Sequence, residues 1–270
     1  MPLDFDHPGC IGVYDSGVGG VSVLRALRTA LPHESFVYVA DSGYAPYGDQ
    51  PTDFIEARAR TVAGFLTDRG VKALVLACNT VSVVAARHLR SLHPLPIIAM
   101  EPAIKPAVDA SRSRVVLVLG TTTTLRSESV GRLCERYGSQ ARIVLRACPG
   151  LVECVERGET DTPGLRARLA DFLRPGLAAG ADTIVLGCTH YAFLAAVIAE
   201  LAGPAVSVIE PSAAVARQLA RRLGGIREPA ARHVAPRTIF YTSGDPGVLR
   251  SFLAAVREPC ESIRSLPPLA

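Results

Sequence analysis

Lysine is almost missing from this chain. Of its 29 basic residues only Lys72 and Lys105 are lysines. A pyridoxal enzyme needs a Schiff-base lysine, and Lys105, in "EPAIKPA", has no surrounding motif that suggests one. No apolar run approaches the roughly 20 residues of a membrane span. The opening "MPLDFDHPGC" carries two acids and no apolar core, unlike a secretory leader, so the expected location is the cytoplasm. The net charge is +4, but the arginines are scattered and no basic stripe is interleaved with aromatics. Nucleic-acid binding is therefore not expected. The seven cysteines include no CxxC pair, which counts against a disulfide framework and a structural zinc site. Cys188 and His190 could supply two metal ligands, but no second pair stands nearby, and no metal is expected. A dinucleotide fingerprint fails as well, because Ser22 occupies the third glycine position after "GVGG".

What remains is a chain of 270 residues, 49% hydrophobic and 20% charged, which suffices for one large or two small packed domains. Short β-branched runs alternate with longer helical patterns. "CIGVY" (10–14), "SFVYVA" (35–40), "ALVLA" (73–77), "LPIIAM" (95–100), "RVVLVL" (114–119), "ARIVLR" (141–146), "TIVLG" (183–187) and "VSVIE" (206–210) read as strands. Residues 53–70 and 162–180 carry helical periodicity, with Gly70 and Gly180 where C-terminal caps belong. Continuous apolar strands are buried on both faces, the mark of a parallel sheet, and the alternation predicts an α/β fold.

The plan repeats. "GVYDSG" (12–17) precedes Cys78 by about the spacing at which "LVLGTT" (117–122) precedes Cys188. Two similar lobes of mainly parallel sheets flanked by helices are expected, with residues 1–100 plus 211–270 in the first and 101–210 in the second. The return of a ninth, strand-like run, "RTIFYTS" (237–243), and the helix of 244–256 to the first lobe rests on size balance. Ligands of open α/β sheets bind beyond the carboxyl ends of the strands. The loops "DSGVGG", "CNT", "GTTTT" and "CTH" all lie there, so facing lobes would put one thiol on each wall of a cleft.

The two cysteine stretches, "VLACNTVS" (75–82) and "VLGCTHYA" (185–192), echo each other. A buried cysteine is most often a small hydrophobe, but a matched pair at strand ends suits the inversion of a carbon bearing hydrogen. One face needs a base and the other an acid, and a thiolate and a thiol can exchange those roles. Each cysteine precedes a helix, whose amino end favours the thiolate. Asp15 is a candidate helper for Cys78, and His190 with Glu156 for Cys188. Asp15 fits an N-cap equally well, His190 a solvated helix start, and Glu156 a surface carboxylate for which Glu153 is an alternative. Ser16, Asn79, Thr80 and Thr189 supply donors beside helix amino ends, where an anionic ligand binds.

The stretches "YDSGVGG" (14–20), "PYG" (46–48), "ACNT" (77–80), "EPAIKPA" (101–107), "CPGLVECVERG" (148–158) and "GCTHY" (187–191) together resemble bacterial glutamate racemase, within the aspartate/glutamate racemase superfamily. The resemblance spans nearly the whole chain. It implies cofactor-independent interconversion of L- and D-glutamate for peptidoglycan synthesis, in a site between two lobes. It implies that Cys78 takes the α-proton of D-glutamate and Cys188 that of L-glutamate. Asp15 would assist Cys78, and His190 and Glu156 would assist Cys188. Asp15, Ser16, Tyr47, Gly48, Asn79, Thr80, Thr189 and His190 would bind substrate, Tyr47 and Gly48 through their backbone. Aspartate-specific relatives typically carry glutamate at the position of His190, which favours glutamate here. Superfamily members acting on aspartate, hydantoin or maleate are the alternative. Some family members restrain DNA gyrase, but no basic extension or extra domain supports that here. A homodimer is compatible with the resemblance. Ala192 stands where the family usually has proline, which leaves the "CTHY" turn less preset, and Gly43 and Ala45 fall where the family varies.

Overall fold

The computed structural model describes residues 9–224 and 235–267. The start of the chain, on which the expectation of no leader rests, lies outside the described residues. The chain divides into two compact units. The first takes the described residues up to Met100 and those from Ser212 onward, and the second takes Glu101–Pro211.

In the first unit the elements are β1 (Ile11–Asp15), α1 (Val21–Ala30), β2 (Phe36–Ala40), α2 (Thr52–Thr67), β3 (Ala73–Leu76), α3 (Asn79–Leu92) and β4 (Ile97–Ala99). The second unit follows with α4 (Ile104–Ala110), β5 (Val115–Gly120), α5 (Thr122–Arg126), α6 (Glu128–Tyr137), β6 (Arg142–Ala147), α7 (Leu151–Glu156), α8 (Pro163–Ala178), β7 (Thr183–Gly187), α9 (Ala195–Ala202) and β8 (Ser207–Ile209). The chain then returns to the first unit with α10 (Ser212–Leu223), β9 (Thr238–Thr242), α11 (Pro246–Ala255) and β10 (Ser262–Ser265). The first sheet has the order β10-β9-β2-β1-β3-β4 and the second β6-β5-β7-β8. Every pairing is parallel. The four strands β2-β1-β3-β4 and the four strands β6-β5-β7-β8 thus follow one wiring scheme.

The strand sequences explain the layering. Residues of β1, β2, β3, β7 and β9 are buried without exception, as strands covered by helices on both faces must be. Each fully buried Val, Ile or Leu contributes about 1.5–3 kcal/mol. β6 is half exposed instead. It is an edge strand, and Arg142 and Arg146 keep that edge from pairing with another chain. β10 has no counterpart in the apolar pattern of the sequence. Its four residues, "SIRS", form a strand because β9 offers an edge to pair with. Gly70 and Gly180, just past α2 and α8, take positive φ values of 69° and 88°, which end the helices cheaply. No described helix is long and apolar enough to cross a membrane.

Candidate active site

The first unit places its chemistry at the carboxyl ends of β1 and β3, which are neighbours in the sheet. Cys78 follows β3 directly and is the N-cap residue of the 14-residue α3, so its sulfur stands at the positive end of a full helix. Ser82, one turn into that helix, donates to the Leu76 carbonyl at 3.2 Å and accepts from the Met100 N–H at 3.1 Å. This hydroxyl fastens the exit of β3 to the exit of β4. The Ser16 hydroxyl lies 3.4 Å from Cys78 Sγ.

Asp15 is not the N-cap of α1, a position that Gly20 holds. Its fully buried carboxylate accepts from the N–H groups of Ser16 and Gly20 and so closes the "DSGVGG" loop on itself. A Cβ on Gly20 would lie 2.7 Å from that of Asp15, so only glycine lets the loop approach this closely. The Ser16 hydroxyl also lies 3.4 Å from Asp15. Asn79 and Thr80 are buried in the first turn of α3. The Asn79 side-chain amide finds no hydrogen-bond partner among the described residues, on either its oxygen or its nitrogen. Buried polar groups are paired in nearly all native structures, so this amide is suited to an incoming ligand. Tyr47 and Gly48 are buried in a 3-10 turn, Tyr47–Asp49.

The second unit repeats the placement and changes the groups. Cys188 follows β7 and is extended, as Cys78 is, but it leads into a six-residue 3-10 turn, Thr189–Leu194, and not into an α-helix. The helix expected after this cysteine begins only at Ala195. The weaker dipole is accompanied by a nearer charge partner. His190 Nδ1 lies 3.8 Å from Cys188 Sγ, and Nε2 lies 2.6 Å from Glu156 Oε1 at the end of α7. His190 is buried, so a solvated helix start does not describe it. Burial opposes its charge, but the hydrogen bonds to Cys188 and Glu156 and the charge of Glu156 prevail and hold it well above the usual histidine range. The Tyr191 hydroxyl donates to the Cys148 carbonyl at 3.1 Å and ties the turn to the start of the α7 segment. Thr189 is buried beside Cys188, and Ala192 lies within the 3-10 turn.

Sequence reasoning missed two features. Cys148 is near enough to Cys188 to feel its charge, yet burial above all pushes its thiol up to about 12, which keeps it protonated near neutrality. Buried Tyr14, Tyr47 and Asp41 and the half-buried Arg58 form a hydrogen-bonded line, and Tyr14 and Tyr47 belong to the apolar cluster that includes Cys78. The signal for Asp41 was present in "YVAD", an apolar strand ending in aspartate as "GVYD" does at Asp15. Among the described residues no group of three His, Cys, Asp or Glu side chains is arranged to hold a metal ion.

These paired thiol sites sit on a chain with close relatives. The family model described as Asp/Glu/Hydantoin racemase matches residues 16–219. The glutamate racemase of Pseudomonas entomophila is 48% identical over 258 residues, covering 95% of this chain and 97% of that protein. Among solved structures, glutamate racemase of Escherichia coli in complex with L-glutamate and the activator UDP-MurNAc-ala superposes with a TM-score of 0.86 at 28% identity, covering 96% of this chain and 98% of that one. Glutamate racemase of Francisella tularensis in complex with D-glutamate gives a TM-score of 0.84 at 25% identity, with 96% and 98% covered. A strand order repeated in two units, a cysteine closing the same strand in each, and relatives matched almost end to end agree: the chain belongs to the Asp/Glu/Hydantoin racemase family, as an enzyme of its glutamate racemase group.

Proposed function

We propose that this enzyme interconverts L- and D-glutamate without a cofactor, by proton transfer between the α-carbon and two thiols. The observation that carries this reading is the pair of strand-end cysteines, each with its own polar partner, Ser16 at 3.4 Å from Cys78 and His190 at 3.8 Å from Cys188. With L-glutamate bound, the Cys188 thiolate takes the α-proton and becomes a thiol, leaving a carbanion. The Cys78 thiol then gives its proton to the opposite face, and D-glutamate leaves behind a Cys78 thiolate. D-glutamate runs the same steps in reverse, and exchange with water restores either state. Protonated His190, held by Glu156, stabilises the Cys188 thiolate through Nδ1–H. Asp15 shapes the loop that presents Ser16 to Cys78. The substrate carboxylates and amine are taken by Ser16, Asn79, Thr80, Thr189 and His190 and by the backbone at Tyr47 and Gly48. The buried amide of Asn79 supports that role, because a ligand would supply the partner it has no hydrogen bond to within the protein. The D-glutamate formed would serve peptidoglycan synthesis in the cytoplasm.

The test is to incubate the pure protein with L-glutamate, no added cofactor and a chelator, and to follow chirality, with L-aspartate as the competing substrate. In D₂O the first D-glutamate formed should carry deuterium at the α-carbon, because Cys78 delivers a solvent-derived deuteron. Early product that retains most of its protium would show one group carrying the proton across and would end the two-thiol reading. Racemisation of aspartate in preference to glutamate would overturn the substrate.

A further inference from the structure

The segment that carries Glu156 to His190 is itself held from outside the site. Glu156 is the last residue of α7, a helix of six residues. A helix that short does not sustain itself. Its N-cap position is Gly150, in the left-handed region at φ 79°, and no side chain caps it. Leu151, Val152, Cys154 and Val155 bury its apolar side. Apolar packing has no direction, so it does not by itself fix the reach of one carboxylate.

Directional contacts come from two sides. The Tyr191 hydroxyl, on the turn that holds His190, donates to the Cys148 carbonyl at 3.1 Å. Arg168, on α8, donates from Nη2 to the next carbonyl, that of Pro149, at 2.7 Å. Its Nη1 lies 3.6 Å from the sulfur of Cys154, two residues before Glu156. Arg157, which pairs with Glu159, meets the same sulfur with Nη2 at 3.5 Å. Cys154 is buried, so two guanidiniums converge on one fixed point of α7. Gly150 completes the seat. A Cβ there would lie 2.0 Å from Arg168 Nη2 and would displace the guanidinium. Arg166, two residues earlier on α8, pairs with Asp161 and Glu200. Arg168 forms no ion pair among the described residues, and its planar fork is given to the carbonyl and the sulfur instead.

We propose that Arg168 is a positioning residue for the Cys188 site: by clamping the start of α7 at the Pro149 carbonyl and its middle at the Cys154 sulfur, it holds Glu156 within hydrogen-bond reach of His190. The inference rests on the reading in which His190 and Glu156 serve Cys188. It adds that the 2.6 Å contact between them is set by a residue of α8 that bonds to neither.

A double-mutant cycle with Glu156→Gln tests this, because residues that act as one unit give non-additive losses. Arg168→Ala should lower kcat from L- to D-glutamate by about 3- to 10-fold in the parent protein, the scale of a small misplacement of a catalytic group. In the Glu156→Gln background the same change should cost less than about twofold, since the carboxylate it positions is gone. A residue that only steadies the fold gives equal losses in both backgrounds. A second readout needs no turnover. In protein carrying isotope-labelled histidine and no substrate, the His190 Nε2–H resonance, assigned by its absence in His190→Gln, should move upfield in Arg168→Ala as the bond to Glu156 lengthens. Equal losses, or an unmoved resonance, overturn the proposal. A resonance that moves while Glu156→Gln racemises at the parent rate overturns instead the reading of His190 and Glu156, and the positioning role falls with it.

Discussion

The Cys78 and Cys188 sites share a frame and differ in nearly every group placed on it. Each cysteine ends a strand that neighbours the first strand of its unit, β3 beside β1 and β7 beside β5. Beyond that, Cys78 caps a full α-helix and has a neutral hydroxyl at hand, whereas Cys188 opens a 3-10 turn and has a buried histidine-carboxylate pair. The lesson is that strand order fixes where a thiol stands, while the few residues after it fix which groups stand around it. A helix dipole supplies a diffuse field worth about 0.3–1 kcal/mol near a surface, more when partly buried. A charged hydrogen bond supplies about 1.5–3 kcal/mol and a direction. The second unit, lacking an α-helix at its cysteine, uses the latter.

The most severe way to break the comparison is to remove one thiol at a time. Cys78→Ala and Cys188→Ala should each cost about 10³-fold or more in racemisation, the upper range of general acid-base effects. Both should stay folded, because each loses a single sulfur. Near-native turnover in either variant would end the equivalence of the two sites. His190→Ala should cost about 10²-fold in kcat from L- to D-glutamate and less in the reverse direction. The equilibrium between enantiomers is unity, so the asymmetry must be offset in KM. Equal losses of kcat in both directions would mean that His190 serves substrate binding or both thiols alike.

Glu156→Gln probes the same pair more gently. Loss of one charged hydrogen bond, about 1.5–3 kcal/mol, corresponds to about 10- to 100-fold in rate if all of it is felt in the transition state. The stability effect has a definite sign. Because the folded protein holds His190 well above its reference value of 6.5, the pair stabilises the fold fully below that pH and loses its contribution as pH rises through the raised value. The difference in Tm between the parent protein and Glu156→Gln should therefore be largest near pH 5.5–6.5, roughly the ordinary histidine range, and shrink in alkaline buffer. A difference that does not change with pH would mean a neutral His190. Asn79→Ala is the mildest change. KM should rise by about threefold or more with the loss of a substrate hydrogen bond, while thermal stability stays level or rises, since an unpaired buried amide costs about 1–3 kcal/mol. A clear drop in Tm would show that the amide supports the fold and not a ligand.

Much of this was legible in the sequence, for identifiable reasons. Nine strands announced themselves as short β-branched runs because parallel strands are covered on both faces. β10 did not, because a half-exposed "SIRS" owes its conformation to the edge of β9. The two cysteine loops were legible because the same pattern occurs twice. The pairings of Tyr14, Asp41 and Arg58 were not. Their hydrogen bonds join residues 17 and 33 positions apart, and no local spacing encodes which tyrosine faces which carboxylate. The 3-10 form of Thr189–Leu194 was hidden for a similar reason, since a tether from Tyr191 to the distant Cys148 carbonyl holds that turn. Asp15 showed its position. A carboxylate at a strand end reads as cap or catalyst, and here it accepts from the Ser16 and Gly20 N–H groups of its own loop.

The insertion of the second unit into the first has a consequence for synthesis on the ribosome. The sheet β6-β5-β7-β8 is complete once residue 209 has emerged, whereas β2 lacks one neighbour until β9 at 238–242 is made. During that interval "FVYVA" presents an apolar, unpaired edge of the kind that recruits other chains. The nascent protein therefore carries a finished Cys188 unit while its Cys78 unit is unfinished, and its newest strands shield one of its oldest. Halting translation after residue 224 should yield an aggregating chain; a product that remains dispersed would mean that β2 does not need β9 to cover it.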